Sequence, residues 1–234
     1  MSRTIALNNQ AVRLIRQKGD LTEASELLRE ALEGMRDVSE GSPPAKEEVP
    51  TMTFSEVAGI SQQENDESIY MQTGGIMLVG LFVYSPDPLC NISIVSSIIL
   101  YNLALINQLQ GLHGASSNDS CHARNNFTER AASLYARARW ILSRIGVTGA
   151  NSTGLATLDY LSFAIGNNEA YTLYTQGHYP DCRHSLNRME ALAASFRSLR
   201  PTWDKETIML MDKAVRSFLL NTMFLREPLL APSA

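Results

Sequence analysis

The sequence predicts a mainly α protein. Three helical hairpins are followed by a capping helix, and a small β and loop insertion separates the first hairpin from the second. Three observations carry this. Apolar residues recur at helical spacing in paired segments. The second segment of each pair holds a triplet at i, i+4 and i+7: Ala24, Leu28 and Ala31; Ala131, Tyr135 and Ala138; Cys182, Leu186 and Met189. The first segment of each pair holds an Asn-x-Ala triplet: Asn9-Gln10-Ala11, Asn102-Leu103-Ala104 and Asn168-Glu169-Ala170. One helical hairpin cannot bury its own apolar face, so its recurrence implies a stack.

A chain of 234 residues can form one large or two modest domains with a sizeable core. Its apolar share of 44% is ordinary for a globular protein. Net charge is −4 and pI about 5.6. That balance argues against a nucleic-acid partner, which usually demands a basic face. Arg124, Arg130, Arg137, Arg139 and Arg144 crowd one segment and read as a solvated helix face. Cys90, Cys121 and Cys182 are too few for a disulfide framework and read as reduced thiols in an intracellular, cytoplasmic setting. No secretory leader is expected, because Arg13, Arg16 and Lys18 interrupt the first apolar residues. Residues 1–19 carry arginines and no acid before Asp20, which a mitochondrial leader would also show. A first repeat helix explains the same residues and also the glycine and second helix after them. Residues 75–84 are the most apolar, yet a bilayer needs about 20 residues. Residues 92–106 are also apolar, and Pro86 and Pro88 separate the two stretches. No membrane span is expected.

In chain order, the first hairpin covers about 3–36. Ile5, Ala11, Val12 and Ile15 form the stripe of its first helix. Gly19-Asp20 make the turn, and Ala24, Leu28, Ala31 and Met35 share one face of its second helix. The insertion at 37–91 begins as a polar, acidic, proline-bearing linker. It holds a candidate strand at 51–60 and another at 76–84. Gly74-Gly75 reads as a turn, since no lysine follows at phosphate-loop spacing. The second hairpin, 92–145, has an enlarged polar turn at 111–126. The third, 155–199, turns at Gly177, seven residues after Ala170. Pro201 opens a capping helix at 202–226, rich in Ile208, Met211, Val215, Phe218, Leu219 and Phe224. Residues 228–234 are a tail, and the repeats read as a single domain over 1–227.

With the Asn-x-Ala triplets before the turns and the small-x3-large-x2-small pattern after them, the chain resembles the tetratricopeptide-repeat family over about half its length. The first repeat has an extra residue before Gly19, the second has a long turn, and the third puts Cys182 and Met189 where the family prefers alanine. Long insertions also break the family's usual period. The resemblance implies an α-α superhelix whose inner groove binds a peptide. The small residues Ala11, Ala104 and Ala170 should face their own second helices. At about 100° per residue the asparagines two places earlier point roughly the other way, toward the groove. An amide both donates and accepts, which suits an extended peptide backbone. The expected groove residues are Asn9, Asn102, Asn168, Tyr101, Gln108, Tyr171 and Tyr174, with Asn8, Leu105 and Asn167 beside them. A structural alternative stands next to each. Amides can bond between neighbouring helices and hold their register. Tyrosines at helical spacing mostly pack. The family's carboxylate-binding variant uses lysines on this face; only Arg16 is available here, so no such clamp is implied.

No catalytic or metal constellation emerges. Cys121 and His122 are adjacent rather than at C-x2-C spacing. Cys182 and His184 diverge by about 200° on a helix and cannot share an ion. No nucleophile, base and orienting group stand together. The leading expectation is a non-enzymatic scaffold that binds a protein or peptide, without cofactor or metal. The alternatives are an enzyme or small-molecule site in the 51–91 insertion, and a helical-repeat nucleic-acid binder.

Overall fold

A computed structural model of the chain describes residues 2–17, 20–39, 51–56, 79–84, 92–113, 121–145 and 152–199, with nine positions between 205 and 226. The elements are α1 (Ser2–Arg16), α2 (Leu21–Ser39), β1 (Thr51–Glu56), β2 (Val79–Tyr84), α3 (Ile92–His113), α4 (Cys121–Ser143), α5 (Ser152–Thr175) and α6 (Tyr179–Leu199). The described positions between 205 and 226 are all helical. The linker expected after α2, the loops around 62–67, 85–88 and 146–151, Pro201 and the tail at 228–234 lie outside the described residues.

The helices pair as α1 with α2, α3 with α4 and α5 with α6. The second helix of each pair packs on the first helix of the next, α2 on α3 and α4 on α5. The pairs therefore stack in chain order. β1 and β2 form an antiparallel ladder from Thr51 opposite Tyr84 to Glu56 opposite Val79. β2 runs against α1 and α3, and β1 meets α5. The ladder thus lies along the first helices of all three pairs.

The repeated triplets are the packing seams. Ala24, Leu28, Ala31, Ala131, Tyr135, Ala138, Cys182, Leu186 and Met189 are all buried, as are Ala11, Ala104 and Ala170. Alanines at these seams let helix backbones approach closely. At Gly166 a Cβ would lie 3.0 Å from Met189 Cγ, so the Met189 side chain packs directly over the α5 backbone there. α3 is apolar on all sides. Its window Ile92–Leu112 is long and apolar enough to cross a membrane, but 83% of it is buried inside the protein. It is the central helix, with α1, α2, α4 and α5 against it.

Local chemistry sets the boundaries. The Asp20 side chain accepts from the Thr22 and Glu23 amides at 2.7 and 3.3 Å, capping α2. Those bonds hold its carboxyl below the usual range. At the end of α5, Gly177 has φ +77°. The His178 amide donates to the Leu173 carbonyl and the Gly177 amide to that of Tyr174. This is a Schellman motif, and a left-handed residue without Cβ is what it requires. The His178 carbonyl then accepts from the Cys182 amide and opens α6.

Two boundaries differ from the sequence reading. α2 continues to Ser39, and α4 starts at Cys121 within the polar turn expected at 111–126. Asn125 and Asn126 are exposed, so their weak helix propensity is opposed by no packing conflict and costs little. β1 covers Thr51–Glu56, and residues 57–60 of the expected strand lie outside the described residues.

Candidate binding site

Between the stacked pairs runs a buried chain of amides and phenols. Asn168 is fully buried on α5. Its Nδ2 donates to the Tyr101 and Tyr135 hydroxyls, each at 3.1 Å. Its Oδ1 accepts from Asn167 Nδ2 at 2.9 Å. The Tyr135 hydroxyl donates onward to Gln108 Oε1 at 2.7 Å. The rings of Tyr101 and Tyr135 are tilted at 5.7 Å between centroids. One amide therefore joins α3, α4 and α5. Burial pushes the Tyr135 phenol far up, so it stays neutral and can donate. A second link joins α1 to α3: Asn102 Nδ2 donates to Asn8 Oδ1 at 2.8 Å, and Asn8 Nδ2 to Asn9 Oδ1 at 3.2 Å.

These bonds place the expected groove residues. Asn168, Tyr101 and Gln108 come together in one cluster. Asn102 and Asn9 meet in the other, through Asn8. Asn102, Asn168, Tyr101 and Gln108 are sealed inside the helix packing rather than displayed on an open groove, with Asn102 and Asn168 both 0% exposed. The face opposite each alanine meets the neighbouring pair instead of solvent. In α1 it is Asn8, not Asn9, that takes the buried position. Tyr171 and Tyr174 are half-buried, and Tyr174 packs edge-on against Tyr179.

An open cleft lies elsewhere among the described residues. It has a volume of about 410 Å³ and runs between α4, α5 and α6. Leu142, Ile165, Met189 and Leu192 supply its apolar walls, and Arg139, Arg188 and Ser185 its polar floor. Its α6 lining extends from Ser185 to Ser195, about 15 Å at 1.5 Å per residue. Glu169 lies beneath. Its Oε1 accepts from Arg139 Nη2, and its Oε2 from Arg188 Nη2 and Ser185 Oγ, all at 3.0 Å. Burial pushes the Glu169 carboxyl up, while Arg139, Ser185 and the charge of His184 pull it back. Arg226, from the helical segment after α6, reaches Asn187 and Glu190. Those residues point away from the cleft at about 100° per residue, so that contact leaves its mouth clear.

By sequence alone Arg139 belongs to a solvated basic face. It is half-buried and paired, whereas Arg130, Arg137 and Arg144 are exposed. Nothing in the sequence marks a pair formed between residues 139 and 169. The one available signal is an acid at the x position of an otherwise structural triplet. Among the described residues, no group of three His, Cys, Asp or Glu side chains could hold a metal ion. The Cys121 and His122 side chains are outside that description. No family model matches the chain, and no curated protein or solved structure matches it.

Proposed function

We propose that this protein is a tetratricopeptide-like helical array that works as a non-enzymatic scaffold, holding a segment of a partner protein in the cleft between α4, α5 and α6. The carrying observation is that cleft: apolar walls, a charged floor and a 15 Å run along one helix. Three pairs stacked in chain order, with alanines at each seam, support the repeat reading. The buried asparagines hold neighbouring pairs in register, and the binding surface has moved to the side of the stack formed by α4 and α6. The test is a displayed random-peptide library selected on the full chain. Ala191 is exposed at the cleft, so Ala191→Trp fills the mouth without touching the core. Peptides selected on the wild type are expected to lose at least about tenfold in affinity for this variant, as a blocked pocket requires. Failure to select any peptide, or equal binding to both proteins, overturns the scaffold reading.

A further inference from the structure

The cleft floor holds two guanidiniums against one carboxylate. Each arginine bonds Glu169 through a single Nη2. Arg188 adds only a bond to Ser185. No other acidic side chain among the described residues pairs with either. Arg139 Nε is buried and has no partner among those residues. The site is therefore one positive charge in excess, with guanidinium donors left over, and its arginines are 39% and 34% exposed. Guanidinium forks favour carboxylates because two parallel N–H donors match two oxygens. Among the described residues, the rest of the cleft lining is apolar side chains, serines and Gly166, with no acid.

Resting on the scaffold reading, we propose that the cleft is selective for an acidic, apolar peptide segment of a partner protein. A ligand carboxylate takes the free donors of Arg139 and Arg188. Branched apolar side chains on either side pack on Leu142, Ile165, Met189 and Leu192. Length favours a peptide over a small organic acid, since 15 Å is the span of four to five extended residues at about 3.3 Å each. Glu169 has two tasks here. It holds the arginines in place, and it lowers the charge that the ligand meets.

The experiment uses the full chain and fluorescence anisotropy with two probes, fluorescein-labelled Leu-Leu-Asp-Leu-Leu amide and its Asn counterpart. The Asp probe is expected to bind about tenfold tighter, the ratio one charge-assisted hydrogen bond supplies. That advantage should shrink in 0.5 M salt, where the Debye length falls to a few ångströms. Glu169→Gln should tighten the Asp probe about threefold or more and leave the Asn probe unchanged, the added charge being felt only by the acid. A purely structural Glu169 would give no such gain. Arg188→Gln, at a half-exposed position, provides the second variant. It should remove most of the Asp probe's advantage while leaving the melting curve near that of the wild type. Equal binding of both probes, with Ala191→Trp abolishing both, overturns the acidic selectivity and keeps the scaffold. Library peptides that bind the cleft while neither probe does have the same meaning. Displacement of the Asp probe by propionate as readily as by unlabelled peptide overturns the peptide source. If no peptide binds at all, the scaffold reading itself has failed.

Discussion

Replacing Asn168 by alanine separates an amide that holds helices together from one that waits for a ligand. The side chain makes three hydrogen bonds, to Tyr101, Tyr135 and Asn167, and none of its surface reaches water. Each contributes about 1 kcal/mol net, so the direct loss is about 3 kcal/mol. Truncation also takes one acceptor from the Asn167 amide and one bonding partner from each phenol in a buried site, so the loss lies within about 2–4 kcal/mol. Against a total stability of about 5–15 kcal/mol this is large. Urea unfolding followed by circular dichroism would show it. With a slope of about 2 kcal/mol/M, the midpoint falls by about 1.5 M. A Tyr135→Phe partner variant completes a double-mutant cycle, with an expected coupling of about 1 kcal/mol or more. Asn9→Ala, at a half-exposed site joined to Asn8 by a 3.2 Å bond, should cost clearly less. A loss below about 0.5 kcal/mol for Asn168→Ala, at unchanged slope, would refute the argument, because that is the range of surface substitutions.

Three further outcomes follow from single sites. Gly177→Ala should destabilise by about 1 kcal/mol through backbone strain alone, since φ is +77° and an added Cβ meets nothing within 4 Å; thermal melting reads it. Burial raises the Cys182 thiol from 9.0 to about 11, so in a Cys90→Ser, Cys121→Ser background it should react with a disulfide reagent at pH 8 about a hundredfold more slowly in the folded than in the unfolded chain. Burial also raises the Asp159 carboxyl from 3.8 to about 6. The folded state then binds the extra proton between those values, so the Asp159 contribution to stability is greatest below pH 3.8 and is lost as pH rises through 6. Asp159→Asn should remove that slope and stabilise the protein at pH 7.5 by about 1 kcal/mol, after allowing for solvent screening on its open side. A urea series across pH measures both effects.

The seams of the fold were legible because they depend on local periodicity. Ala24, Leu28 and Ala31, with their counterparts in α4 and α6, show their burial through spacing alone. Gly177 announced its turn because few residues other than glycine take positive φ readily. The expected strands at 51–60 and 76–84 contain the two strands of the ladder, Thr51–Glu56 and Val79–Tyr84, the second marked by its β-branched and aromatic residues. The asparagine contacts were not. Angular position on one helix says which way a side chain points, but not whether a neighbouring pair or water lies there. That depends on how one pair leans on the next, which is set by side chains 33 to 94 residues away, as in Asn168 with Tyr135 and Asn102 with Asn8. The cleft was illegible for the same reason. Arg139 looks like its exposed neighbours until Glu169 and Arg188 are brought beside it.

The three Asn-x-Ala triplets show how one structural device leaves room for a functional one. The alanine is buried in every copy, and a buried asparagine bonds to the adjacent pair in every copy, with Asn8 standing in for Asn9 in the first. The x position is not fixed by that work. Gln10 is exposed, Leu103 packs in the centre, and Glu169 is buried beneath the cleft. A carboxylate at this depth would cost several kcal/mol if it stood alone. It is held by two guanidiniums and a serine, one arginine from each flanking helix. A stack needing only packing at that position would be served by another leucine, as α3 demonstrates. Glu169→Leu should therefore leave the stack assembled, while Arg139 and Arg188 lose their fixed orientation over the cleft. Thermal melting and the Asp probe, measured on the same variant, separate the two effects. A melting point within a few degrees of wild type, with the Asp probe's advantage over the Asn probe lost, places Glu169 in binding. Unfolding of the variant places it in the architecture.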